Sequence, residues 1–415
     1  MQIIKRAAAS LGFVLVLGVI LSGVSFTFER KESTERYSKF WENPQEYDVW
    51  FIGNSHVYYA INPMELWNQQ GIRSYDLAAP GAYLAQTYWT LMCALEHCQP
   101  EVLVLDPHKV NFDTKHQDSQ KGTIHTGWDA IPFSLTKIKG AIDLFDTWEE
   151  RLEYVCGFSI YHNRWEELGQ EDFKAPCSVN KGFMFNTRII DKSDYQIKQT
   201  KKIYQTDTAG FIYLEKIIEV CEDRGIELLL MEVPFCRSKK DQTVMNAVSN
   251  MAKEHEIPFL KLTDEGIVDY GVDYADGGHV NLFGSKKITQ YMGEYLKENY
   301  QLQDGRKVKE TAEKWNADYE AYLQFKLQKM QAESEIKRYV QWLSDDRYSC
   351  YLYQEKEPQG LLAKELSQLS HITYLSKEEA KERLGGQIEG EFVFFVEDEN
   401  RNLLDAAVFQ NGKRK

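Results

Sequence analysis

Phe51-Ile52-Gly53-Asn54-Ser55-His56 sets a serine two positions beyond a glycine that closes a short apolar run. A nucleophilic hydroxyl wants that placement, on a rigid turn that exposes its oxygen where a strand ends. Alone, Gly-Asn-Ser is an ordinary turn sequence. Far downstream, Tyr274-Ala275-Asp276-Gly277-Gly278-His279-Val280-Asn281 sets Asp276 three residues before His279, in a glycine-rich loop that leads into a helix. A serine needs a base to take its proton, and the base needs a partner that fixes its tautomer and stabilises the imidazolium. The plainer reading is a helix-capping Asp beside an exposed His. Taken together, Ser55, His279 and Asp276 supply nucleophile, base and orienter. In Tyr75-Asp76-Leu77-Ala78-Ala79-Pro80-Gly81-Ala82 a short strand runs out at Gly81, whose N–H can join that of Ser55 in facing an oxyanion.

These residues must be held by a sheet. Residues 48–53, 101–106, 226–233 and 258–262 read as short buried strands, and helical periodicity marks 84–98, 210–224, 246–256 and 283–299. Strand and helix alternating at this spacing predict an α/β fold with a mainly parallel sheet, helices on both faces, and ligands beyond the carboxyl ends of the strands. Residues 108–205 interrupt the alternation and are rich in Trp, Tyr, Phe and His, including Trp128 and Trp165. Such an insertion serves either as a lid or substrate platform or as a structural cap. From Val308 to about Leu343 one long helical pattern runs, followed by a small α/β module with no chemistry of its own.

The 415 residues include 49 basic and 63 acidic ones, a net charge of −14, which leaves no electrostatic footprint for nucleic acid. Ala7 to Phe28 is a 22-residue stretch without charge, preceded by Lys5 and Arg6. It predicts a single membrane span with the N-terminus cytoplasmic and the rest of the chain outside, with a cleaved signal peptide as the competing reading. The seven cysteines show no zinc spacing and no disulfide framework, with a Cys156–Cys177 bridge left open. No cofactor is expected. The expected organisation is an anchor over 1–28, a juxtamembrane helix or stalk over 29–46, a catalytic domain over 47–300, and the long helix with its module over 301–415.

Gly53-Asn54-Ser55, Gly81 and Asp276-Gly277-Gly278-His279, in this order, resemble the sequence blocks of the SGNH (GDSL-like) hydrolase superfamily. The resemblance spans about residues 47–300. It implies a flavodoxin-like three-layer α/β/α fold, Ser55 as nucleophile, His279 as base, Asp276 as orienter, and oxyanion donors from Ser55 and Gly81. Two features depart from the pattern. Asn54 replaces the usual Asp, and the Gly-x-Asn-Asp block after the third strand is missing. Leu105-Asp106-Pro107-His108-Lys109-Val110-Asn111 stands there instead, and neither His108 nor Asn111 is assigned the lost Asn's role. The N-terminal span makes the chain similar to the membrane-tethered branch, which includes the teichoic acid D-alanylation and alginate O-acetylation proteins. That likeness implies a serine esterase or O-acyltransferase acting on acylated cell-envelope polysaccharide or teichoic acid, beside a membrane-bound O-acyltransferase. Two other readings are a non-catalytic polymer-binding or assembly partner of such a transferase, and a metal-dependent phosphoesterase built on Asp106, His108, Asp276 and His279.

Overall fold

The computed structural model describes residues 2–29, 31–116, 121–155, 161–174 and 178–415. Cys156 and Cys177 lie outside them, and Cys93, Cys98, Cys221, Cys236 and Cys350 are free thiols.

Strands β1 (Val49–Ile52), β2 (Ser74–Asp76), β3 (Val102–Leu105), β4 (Glu227–Glu232) and β5 (Phe259–Lys261) form one parallel sheet in the order β2-β1-β3-β4-β5. Their continuous apolar runs are what a sheet buried on both faces requires. Alternate residues feed two cores. Trp50, Ile52, Leu103 and Leu105 pack with the helices Leu84–Ala94, Ala209–Arg224 and Lys239–Glu254. Val49, Phe51, Val102 and Val104 pack on the other side with Ser55–Ala60, Pro63–Gln70 and Leu282–Asn299. The α/β expectation therefore holds as a mixed fold on a parallel five-stranded sheet. In this strand order the chain reverses direction across the sheet between β1 and β3, the place where such sheets open a binding crevice.

One expectation needs correction and two open alternatives are resolved. Of the helix and the stalk expected after the N-terminal helix, the structure takes the helix. Lys31–Glu42 is a helix that buries Tyr37 and Phe40, with the Phe40 ring edge-on to Trp50 at 5.0 Å and the Tyr75 hydroxyl donating to the Arg36 carbonyl at 2.8 Å. The single long helix is two. Lys309–Gln331 stops, and Ile336–Trp342 begins after the Ile336 N–H pairs with the Gly412 carbonyl at 3.0 Å and that of Arg414 with Ser334 at 2.8 Å. Backbone pairing with the chain's last strand wins over helix propensity there. In the insertion, Trp128 takes the structural role, fully buried and donating from Nε1 to the Tyr154 carbonyl at 2.8 Å; Trp165 is exposed.

Gln2–Phe28 is one 27-residue helix, some of whose side chains lie outside the description. Among the described residues no helix is long and apolar enough to cross a membrane, so the expected anchor rests on the sequence alone.

The C-terminal module is a mixed sheet of β6 (Ser349–Gln354), β7 (Ile372–Tyr374), β8 (Phe392–Glu397), β9 (Leu403–Gln410) and β10 (Lys413–Arg414), ordered β10-β9-β8-β6-β7. It shares a core with Leu282 and Phe283 of the Leu282–Asn299 helix and with Phe183 of the insertion.

Candidate active site

Gly53 ends β1 with φ 144°, in the region that favours glycine. A Cβ there would stand 3.1 Å from Val57 Cγ2 and 3.2 Å from Asp106 Cβ, so the turn admits no larger residue without displacement. Asn54 then caps the helix Ser55–Ala60, its Oδ1 accepting the His56 N–H at 3.0 Å. Ser55 is thereby the first helical residue at the carboxyl edge of β1.

His279 arrives from the opposite end of the domain. Asn281, fully buried, caps the Leu282–Asn299 helix by accepting from the N–H groups of Phe283 (3.0 Å) and Gly284 (3.3 Å). Its Nδ2 donates back to the Val272 carbonyl at 2.7 Å. Tyr274 bridges Val280 in antiparallel fashion, and the Ala275 N–H meets the His279 carbonyl at 2.9 Å. The tight loop between them carries Asp276 and His279.

The structure brings the three predicted residues together. Ser55 Oγ lies 2.7 Å from His279 Nε2, and His279 Nδ1 lies 3.0 Å from both Oδ1 and Oδ2 of Asp276. Asp276 Oδ1 also accepts from the N–H groups of Gly278 (2.8 Å) and His279 (3.0 Å). Burial pushes the Asp276 carboxyl up, but the His279 hydrogen bond and the Gly278 N–H outweigh it and hold the group below the usual carboxylate value. An ionised Asp276 fixes the proton on His279 Nδ1 and leaves Nε2 to accept from the serine hydroxyl. That is the arrangement general-base activation of a serine demands.

Gly81 lies in the turn after β2 with φ 63°. The Ala79 N–H donates to the Gly53 carbonyl at 3.1 Å, which ties this turn to the Ser55 turn. Among the described residues the N–H groups of Ser55 and Gly81 have no acceptor, as donors awaiting an oxyanion would. Lys109 Nζ donates to the Gly81 carbonyl at 3.0 Å, in the peptide that follows the Gly81 N–H.

Behind the serine lies a group of residues whose association the sequence does not announce, although Asp106 and His108 were among the alternative metal ligands. The His56 and His108 rings stack at 3.9 Å, and Phe235 stands 5.4 Å from each. His56 also meets His279 edge-on at 5.4 Å. Burial, then the neighbouring His108 and His279, holds His56 far below the usual histidine range. Burial does the same to His108, whose pKa falls to about 3. Asp106, buried beneath them, is pushed up by burial and faces His56 Nδ1 at 3.8 Å. Both histidines are therefore held in the uncharged form at neutral pH, so neither would oppose an imidazolium on His279. The sequence signals for this group were Asp106 and His108, just past the end of β3.

Among the described residues no three His, Cys, Asp or Glu side chains converge as a metal site, so the phosphoesterase set does not assemble as ligands. No family model matches the chain, and no curated protein matches it.

The insertion divides in two. Residues 121–155 form three helices that enclose Trp128, Phe145 and Tyr154 in the core. Residues 178–206 instead run as an extended strap past the site. The Asp76 N–H donates to the Lys181 carbonyl at 3.0 Å, that of Met184 to Tyr58 at 2.8 Å, and that of Ile190 to Tyr274 at 2.9 Å.

Proposed function

We propose that this chain is a serine hydrolase or O-acyltransferase of the SGNH type, acting on acyl esters of a cell-envelope polysaccharide or teichoic acid. The observation that carries the reading is the unbroken path from Ser55 Oγ through His279 to Asp276, at 2.7 and 3.0 Å. The fold agrees, since Ser55 and His279 both stand at the carboxyl edge of a parallel sheet, at its switch point.

In the proposed reaction His279 Nε2 takes the Ser55 proton as Oγ attacks the ester carbonyl carbon. The tetrahedral oxyanion accepts from the Ser55 and Gly81 N–H groups, donors worth about 3 kcal/mol each in comparable sites. Collapse expels the alcohol, which leaves with the proton held by His279, and the acyl group stays on Ser55. Water or a polymer hydroxyl then gives its proton to His279, attacks the acyl-enzyme and frees Ser55. The choice between water and hydroxyl separates hydrolase from transferase. The uncharged stretch Ala7–Phe28 suits a membrane anchor that holds the domain outside the cell, beside a membrane-bound O-acyltransferase.

The deciding experiment is release of acetate from a chromogenic acetyl ester by the full-length protein beside Ser55→Ala, with fluorophosphonate labelling of both. Turnover and labelling that vanish together in the variant support the reading. An unlabelled Ser55 with no turnover overturns it and leaves the non-catalytic assembly partner.

A further inference from the structure

His279 opens onto a cleft of about 380 Å³, within the range of small-molecule sites. The triad supplies one wall through Asp276 and His279. The strap supplies another through Asn186, Thr187 and Arg188, and the Ile336–Trp342 helix closes the far side with Arg338. In a chain of net charge −14, the two long side chains that border this cleft are both cationic.

Neither charge is fully matched internally. Arg188 is exposed, and its guanidinium has no ion-pair partner among the described residues. Arg338 Nε lies 3.4 Å from Glu335 Oε2, but Glu335 also receives Lys413 Nζ at 2.6 Å, so one carboxylate serves two cations. Asp276 is the one carboxylate among the described lining residues, and it is committed to His279 and to backbone N–H groups. The placement is fixed. Gln341, fully buried on the same helix as Arg338, donates to the Thr187 carbonyl at 2.9 Å and holds strap and helix together.

We infer that this cleft is an anion-recognition site, in which Arg188 and Arg338 hold a carboxylate or phosphate of the polymer while its ester lies against Ser55 and His279. The inference rests on the proposed hydrolase reading for the ester, though not for the anion. Guanidinium forks bind planar carboxylates and phosphates through paired, charge-assisted hydrogen bonds. At physiological salt the protein's overall negative field is screened beyond about 8 Å, so local cations decide binding. The Ile336–Trp342 helix then has a role its sequence hides, as a specificity wall for the substrate.

The test measures binding to full-length Ser55→Ala, where no turnover intervenes. The probes are galacturonate oligomers, glycerol-phosphate oligomers and neutral xylose oligomers. At least one anionic probe is expected to bind more tightly than xylose oligomers and to weaken as salt rises. Arg188→Ala/Arg338→Ala is expected to lose roughly tenfold in affinity for that probe, about the worth of one charge-assisted hydrogen bond. Arg188→Lys/Arg338→Lys keeps the charge and recovers part of the loss, which separates charge from misfolding. The preferred anion identifies the carboxylate or the phosphate polymer. Equal binding of neutral and anionic probes, or unchanged affinity in the alanine pair, overturns the inference. Selective anion binding by a protein that cleaves no ester would keep this site and overturn the hydrolase reading instead.

Discussion

Asn54 Nδ2 lies 2.9 Å from His108 Nδ1, while the same amide's Oδ1 accepts the His56 N–H at 3.0 Å. The capping bond fixes which end of the amide faces which neighbour. The NH2 end must donate to His108, so Nδ1 is an acceptor and the His108 proton sits on Nε2. The turn after β1 is thus joined to the turn after β3, at the position where the SGNH resemblance expects an asparagine and finds none.

Replacing Asn54 with Asp reverses that hydrogen bond. A carboxylate still caps His56 but can only accept from His108, so the imidazole must carry a proton on Nδ1. Ring-nitrogen NMR of the full-length protein is expected to show a neutral His108 protonated on Nε2 at pH 7. In Asn54→Asp the same ring moves to the Nδ1–H tautomer or to the doubly protonated form. An unchanged His108 spectrum would sink this assignment.

Asp276→Asn tests the orienter. The Gly278 and His279 N–H groups hold the side-chain oxygen at the Oδ1 position, so the new NH2 falls at Oδ2, 3.0 Å from His279 Nδ1 in the native site. A donor there favours the wrong tautomer and removes the charge that stabilises imidazolium. Turnover of an acetyl ester is expected to fall roughly a thousandfold or more, with little change in melting temperature, as orienter loss does in serine proteases. A loss below tenfold would mean that Asp276 does not serve His279.

Ser55, Asp276 and His279 were legible because a parallel sheet sends its strand ends to one edge, and local patterns mark those ends. Gly53 and the glycines of 277–278 announce their turns in any context. The floor of His56, His108 and Asp106 was not legible, since each reads locally as a polar residue near a turn. Only the adjacency of β1 and β3 stacks them. The docking of the helix Lys31–Glu42 on the domain escaped for a similar reason: its charged residues hide Tyr37 and Phe40, whose burial depends on the distant Trp50 and Tyr75. Arg188 and Arg338, 150 positions apart, meet at one cleft through tertiary contacts between strap and helix, among them the Gln341–Thr187 bond and the Phe185–Trp342 ring pair.

The buried histidines make stability pH-dependent with a definite sign. His108 titrates at about 3 in the folded chain against an ordinary 6.5. Between those values the unfolded chain holds a proton that the folded chain refuses. The contribution is therefore complete above pH 6.5 and is lost as pH falls toward 3. His56 acts in the same direction. Asp106, raised by burial, has the opposite sign: its contribution is complete below its unfolded value and is lost as pH rises. His108→Phe isolates one term. Denaturant unfolding from pH 7 to 4 is expected to give a flatter profile for the variant, by at most about 1.4 kcal/mol per pH unit. Parallel profiles would show that His108 titrates normally.

Asn281 links the fold to the chemistry most directly, although it touches no substrate. Its oxygen caps the helix that follows His279, and its nitrogen holds the Val272 carbonyl where the catalytic loop begins. Loss of a cap of this kind costs about 1 kcal/mol, and a buried carbonyl left without a donor costs roughly 1–3 kcal/mol more. Asn281→Ala is therefore expected to lower stability by about 2–4 kcal/mol. Asn281→Asp restores the cap but sets a second acceptor against Val272, so it recovers only part of that stability. The functional effect is separate. With Val272 released, the loop no longer fixes His279 Nε2 at 2.7 Å from Ser55 Oγ. Measured well below the melting point, kcat on an acetyl ester is expected to fall in both variants while KM stays near the wild-type value, because the ester's binding surface is intact. Full kcat in a folded Asn281→Ala protein would show that the loop holds its shape without the Val272 bond, and that Asn281 serves the helix alone.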